Sequence, residues 1–225
     1  MYQTHPSLKE PKNQNAKLTK YMSYKWFMPL LEERYLYFPS IDTLRKGEPR
    51  EAALAEASLN PPKAFGEKDM QNMRDFASQE GAKYVFVCPF YLNEEESMKM
   101  WKSHAKDKGI AIQTNFIKLR DAFVENSEYT VGAGTIEYGS RNPEDNMYDL
   151  IVHKDTKFDF EKEFRAVISG NTATKAMSFK VDWAKVIEQI IISPFELEDF
   201  RQQVAQFVEK HGIPRTKVIH SHLKI

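Results

Sequence analysis

The segment KYVFVCPFYL, residues 83–92, constrains the fold most. It is built of β-branched and aromatic residues, with no charge after Lys83. Such a composition reads as a β-strand. At ten residues it falls well short of the roughly 18 needed for a membrane helix, and no other apolar run in the chain approaches that length. The lone cysteine, Cys88, sits inside this strand as VFVCPF and reads as a buried, inert thiol. With one cysteine in the chain no internal disulfide framework exists, which fits a reducing compartment.

The segments around this strand alternate irregularly. Residues 22–26 read as a short strand, 28–33 as a helical turn and 35–38 as a strand closed by Pro39. Residues 41–59 read as a helix interrupted at Gly47-Glu48-Pro49, and 67–80 as a helix stopped by Gly81. A helix over NEEESMKMWKSHAK follows, with Asn93 as its N-cap. GIAIQTN is a strand, FIKLRDAFVEN a helix with Phe116, Leu119 and Phe123 at helical spacing, TVGAGTIEYG a glycine-containing strand, and 140–149 a loop. MSFKVDWAKVIEQIIISP gives one or two strands. SPFELEDFRQQVAQFVEKHG is the clearest helix. Ser193 and Glu196 suggest a capping box, Pro194 a first helical position, and Leu197, Phe200, Val204, Phe207 and Val208 an apolar stripe. KVIHSHLKI closes as a strand. This irregular order predicts an α+β fold with a mixed or mostly antiparallel sheet and flanking helices. Residues 1–18 hold little to bury and read as a flexible tail before one domain over 19–225.

Lysine plus arginine and aspartate plus glutamate both number 32, so the net charge is zero and bulk charge gives no case for a polyanionic partner. The polar N-terminus lacks the apolar core of a signal peptide, and a soluble cytoplasmic protein is the expectation. No phosphate-loop, dinucleotide-loop, zinc-protease, nucleophile-elbow or CxxC motif is present. The chemistry must be sought in FDFEKEFRAVI, residues 158–168. As a strand it puts Phe158, Phe160, Lys162, Phe164, Ala166 and Ile168 on one face and Glu161, Glu163, Arg165 and Val167 on the other. That second face is either a solvated strand surface or the wall of a site. A helix would instead pair Glu161 with Arg165 one turn apart. His104, one turn after Met100-Trp101, is either a surface histidine or a general base. Tyr138 either lines a pocket or simply packs. His220 and His222 fit a solvated edge strand or part of a metal site.

Several spaced pieces resemble a bacterial domain-of-unknown-function family. They are Tyr24-Lys25-Trp26, Leu36-Tyr37-Phe38-Pro39, VCPFYLNEEESMKMWKSHAKDKGIAI with Met100-Trp101 and Gly109-Ile110-Ala111-Ile112, and Glu161 to Arg165. The set spans roughly residues 20–195. The chain departs from the family after the Phe38 strand. There SIDTLRKGEPREAAL keeps only Glu48, Pro49 and Glu51 of an acidic Pro-containing turn.

More distantly the chain resembles toxin-like, NAD-dependent ADP-ribosyltransferases. Tyr24-Lys25, the Pro89-Phe90-Tyr91 run and Glu161/Glu163 fall in the order of that family's NAD-gripping strand, nicotinamide-packing aromatics and catalytic strand. Lys25 stands where the family has His or Arg. The resemblance implies a split antiparallel sheet and NAD as substrate. It implies Glu163 and Glu161 as catalytic residues, with Tyr24, Lys25, Phe90, Tyr91 and Arg165 around NAD. It further implies a toxin or anti-phage effector, a nucleic-acid or protein acceptor, and an antitoxin or defence partner. Two other readings stay open. One is a non-enzymatic nucleic-acid or protein binding module of a defence system. The other is a metal-dependent nuclease using Glu161, Glu163 and a carboxylate such as Glu51 or Asp42.

Overall fold

In the computed structural model, residues 1–47, 81–125, 129–139 and 147–224 are described. The strands are β1 (Lys17–Ser23), β2 (Tyr35–Pro39), β3 (Val85–Leu92), β4 (Gly109–Asn115), β5 (Val131–Thr135), β6 (Glu137–Tyr138), β7 (His153–Lys154), β8 (Glu163–Ser169), β9 (Ala176–Lys180), β10 (Gln189–Ile192) and β11 (Val218–His220). The helices are α1 (Tyr24–Glu32), α2 (Ile41–Leu44), α3 (Met98–His104), α4 (Phe116–Glu125), α5 (Met147–Ile151), α6 (Trp183–Val186) and α7 (Glu198–Glu209).

Seven strands form one sheet in the order β11-β10-β4-β1-β3-β8-β5, antiparallel except for the β10–β11 pair. The fold is therefore α+β with a mostly antiparallel sheet, as the irregular order of segments predicts. Strand β8 is buried from Glu163 to Ile168, so neither of its faces is wet. Its Phe164, Ala166 and Ile168 join Phe86, Cys88 and Phe90 of β3 in the main core, beneath α1, α4 and α7. The opposite face carries Glu163, Arg165 and Val167 beside Tyr91, Pro89 and Val87, as the Tyr91–Glu163 and Pro89–Arg165 register requires.

The sheet is not closed evenly. Strand β1 pairs with β4 along seven residues but with β3 only at Leu18–Leu92 and Thr19–Tyr91. The cause lies in Pro89. Its carbonyl points toward β1, where it accepts from the Lys20 ammonium at 3.0 Å. In an antiparallel strand a residue's amide points the same way as its carbonyl, and proline has none to offer. The ladder ends there and the two strands part.

Residues 1–16 are packed, contrary to the expected tail. Gln3 donates its amide to Val131, Thr135 donates to Lys9, and Leu8 is 4% exposed. The reason is in β5. A Cβ on Gly132 would lie 2.5 Å from a Leu8 methyl, and one on Gly134 2.8 Å from the Leu8 Cα. Two glycines open a notch along the edge strand, and the segment fills it.

Other boundaries move for identifiable reasons. Residues 24–26 begin a helix rather than end a strand, because Tyr24, Phe27, Leu30 and Leu31 bury one helical face. Helix α3 starts five residues after Asn93, capped by the Ser97 hydroxyl accepting from the Met100 amide at 3.3 Å. Residues 193–196 form a turn instead of a capping box, and Leu197, 78% exposed, belongs to no stripe. Residues 147–149 lie in α5, not a loop. The TVGAGTIEYG strand breaks at Ile136 into β5 and β6. The predicted helix over 67–80 and most of that over 41–59 lie outside the described residues. No helix among the described residues is long and apolar enough to cross a membrane.

The notch makes a measurable demand. Gly134→Ala drives a Cβ into the Leu8–Lys9 backbone, which has no flexible end to yield. Urea unfolding should show a loss of about 1–3 kcal/mol, the usual cost of overpacking.

Candidate active site

Where β1 and β3 part, a cleft of about 340 Å³ opens. Thr19, Lys20 and Tyr21 line it from β1, Pro89, Phe90 and Tyr91 from β3, and Glu163 and Arg165 from β8. Glu161 enters by a different route from the one its sequence position suggests. It ends a 3-10 turn over Thr156–Glu161, and Lys162 then adopts a left-handed conformation at φ 37° before β8 begins. Glu161 is therefore not a strand neighbour of Glu163; the turn swings it back to the same cleft.

The charges form one connected cluster. The Arg165 Nε donates to Glu163 Oε1 at 2.6 Å, and an Arg165 terminal nitrogen donates to the Ile151 carbonyl at 2.5 Å. The Lys154 ammonium donates to Glu163 Oε2 at 3.3 Å and to Glu161 Oε2 at 2.7 Å. The His104 Nε2 stands 3.5 Å from Glu161 Oε1. Two carboxylates thus meet two permanent cations, the compensation buried charge needs. The backbone is pinned as well: the Glu163 amide donates to the Tyr138 hydroxyl at 2.8 Å. Burial pushes that phenol up to about 12, against the opposing pull of the amide hydrogen bond. Burial also works to raise the Glu161 carboxyl, but the His104 ring and the Lys154 ammonium outweigh it and hold the group below its ordinary value.

Of the residues singled out in the sequence, Glu161, Glu163, Arg165, Phe90 and Tyr91 line this cleft. Tyr91 lies across from Glu163, its hydroxyl accepting from the Asn93 side-chain amide at 2.7 Å. Phe90 points mainly into the core, with the Lys20 ammonium 5.3 Å from its ring. Tyr24 and Lys25 are elsewhere. The Tyr24 ring packs edge-on against Phe200 and Phe207 of α7, at 5.3 and 6.0 Å between centroids. Lys25 lies beside the exposed Trp26 ring. The sequence pattern places both in a strand; the turn into α1 carries them away from the cleft.

Lys20 and Lys154 also line the cleft, and no motif in the sequence singles them out. For Lys154 a signal existed: a row of Glu161, Glu163 and Arg165 leaves one negative charge over, and a buried row needs a further cation. Among the other residues weighed, Trp101 is core, donating its indole N–H to Glu96 at 3.1 Å, and Cys88 is buried. His220 pairs with Glu198. Among the described residues no group of three or more His, Cys, Asp or Glu side chains is placed to hold a metal ion. Of the further carboxylates the nuclease reading calls on, Asp42 lies in α2 and Glu51 lies outside the described residues.

No protein-family model matches the chain, and no curated protein matches it. Among solved structures, a chain described as Thermus sp. 2.9 DarT in complex with ADP-ribosylated ssDNA superposes with a TM-score of 0.46 at 10% identity. The match covers 96% of this chain and 98% of that one.

Two outcomes follow from the cluster. Arg165→Met leaves Glu163 buried with one partner fewer and should cost about 3–5 kcal/mol by chemical unfolding. The depressed Glu161 carboxyl contributes stability that is complete above its ordinary value of 4.5 and lost as pH falls through the lower folded value. The stability gap between wild type and Glu161→Gln should therefore close as pH is lowered below 4.5, followed by thermal unfolding across a pH series.

Proposed function

We propose that the cleft binds NAD and that the protein transfers its ADP-ribose to an acceptor. The observation that carries this reading is the Glu163 carboxylate, 4% exposed, fixed through both oxygens at the base of an aromatic-walled cleft in a parted sheet. Breaking the bond between nicotinamide and ribose develops positive charge on the sugar. A carboxylate already held in place stabilises that charge without reorganising as the reaction proceeds. The chain's residues suit the substrate. Tyr91 and Tyr21 offer rings for stacking, Lys20 offers a cation for a phosphate oxygen, and the volume falls within the range of ligand pockets. Arg165 and Lys154 orient Glu163, and Glu161 stands ready on the acceptor side. In this reading the protein acts in the bacterial cytoplasm as a toxin or anti-phage effector, on a nucleic-acid or protein acceptor, with a partner that restrains it.

A second reading has its own observation. Both oxygens of Glu163 are already bonded, which also describes an ion cluster that shapes a cleft for binding without catalysis. One experiment separates the two. Radiolabelled NAD is incubated with the protein and with cell extract split into protein, RNA and DNA fractions, while released nicotinamide is measured. Transfer should appear in one fraction. It should fall on the order of 10²–10³-fold in Glu163→Gln, the loss typical of removing one electrostatic stabiliser. No nicotinamide release and no label in any fraction, from wild type as from Glu163→Gln, would turn the reading to a non-enzymatic nucleic-acid or protein binding module.

A further inference from the structure

We infer that His104 is the general base for the acceptor, so the acceptor is a group that enters the reaction carrying an N–H or O–H proton. This rests on the transferase reading of the cleft. His104 ends α3 and is half-exposed, while Glu161 reaches it from the 3-10 turn on the other side. The ring therefore spans the boundary between the enclosed cluster and solvent, where an acceptor would arrive. Its Nε2 faces a carboxylate that its neighbours keep ionised. A carboxylate so placed favours the tautomer with the proton on Nε2, leaving Nδ1 as the lone-pair nitrogen; hydrolytic triads use the same division of labour with the two nitrogens exchanged. No partner of Nδ1 appears among the described residues. Glu161 is itself held by Lys154, so it acts by orienting the ring, and the ring takes the proton.

The step balances. The bond from ribose C1′ to the nicotinamide nitrogen breaks, and its electron pair passes to that nitrogen, giving neutral nicotinamide. The acceptor N or O forms a bond to C1′, and its proton passes to His104 Nδ1. An acceptor already anionic, such as a carboxylate, would need no such base.

The test compares wild type, His104→Ala and His104→Phe, each with radiolabelled NAD and the fractionated extract. Two quantities are read: nicotinamide released, and the share of released ADP-ribose that ends as label on acceptor. In His104→Ala that share should fall on the order of 10²-fold, the usual contribution of a general base. Added imidazole should restore much of it, because the small side chain leaves space for the free ring. His104→Phe fills that space and should not be rescued. Rescue also shows that the variant is folded. Equal labelling by wild type and His104→Ala, or a loss that imidazole does not restore, overturns the assignment while leaving the transferase reading intact. Nicotinamide release by wild type with no label in any fraction overturns it too. No release by wild type removes the transferase reading, and this inference with it.

Discussion

Arg165 lies fully buried in the middle of a strand, and Glu163, two residues away on the same face, supplies it with a carboxylate partner. A guanidinium taken out of water without a partner would cost several kcal/mol. Here it bonds the carboxylate on one side and the Ile151 carbonyl on the other. The requirement then propagates. Glu163 has a second oxygen, which takes Lys154 from β7. Lys154 takes Glu161 from the 3-10 turn, and Glu161 faces His104 at the end of α3. A single buried charge thus fixes the relative positions of β8, β7, the 3-10 turn and α3.

The second organising constraint is covalent. Pro89 ends the β1–β3 ladder by lacking a donor, and the Lys20 ammonium bonds the carbonyl left over. Strands that separate inside a sheet normally leave backbone groups unpaired. The space gained is lined by backbone and side chains from both strands, which places the charged cluster at the floor of a cleft rather than under a continuous sheet.

Much of this was legible in the sequence. The strand-like run at 83–92 follows from its β-branched and aromatic composition, and the face shared by Glu163, Arg165 and Val167 from period-two alternation, which β8 keeps from its first residue. The α+β class follows from irregular segment order. What was not legible depends on the chain turning where its pattern does not announce it. Lys162 reverses into a left-handed conformation, so Glu161 reaches the cleft by a turn and not by strand parity. Tyr24 and Lys25 carry strand-like neighbours, yet the three-residue spacing of Tyr24, Phe27 and Leu30 wins once α7 offers a surface to pack on. Lys20 falls before the strand read at residues 22–26, and only its bond to the Pro89 carbonyl marks it out.

The packed N-terminal segment bears on more than the site. β5 ends the seven-stranded sheet, and its outward amides and carbonyls would otherwise form a free template. Gln3 and Lys9 take up part of that edge, and Leu8 sits in the glycine notch between them. The segment therefore works as a guard against strand addition. A chain trimmed of its first ten residues would present a small-residue strand edge to other molecules, and self-association in solution would be the form its damage takes.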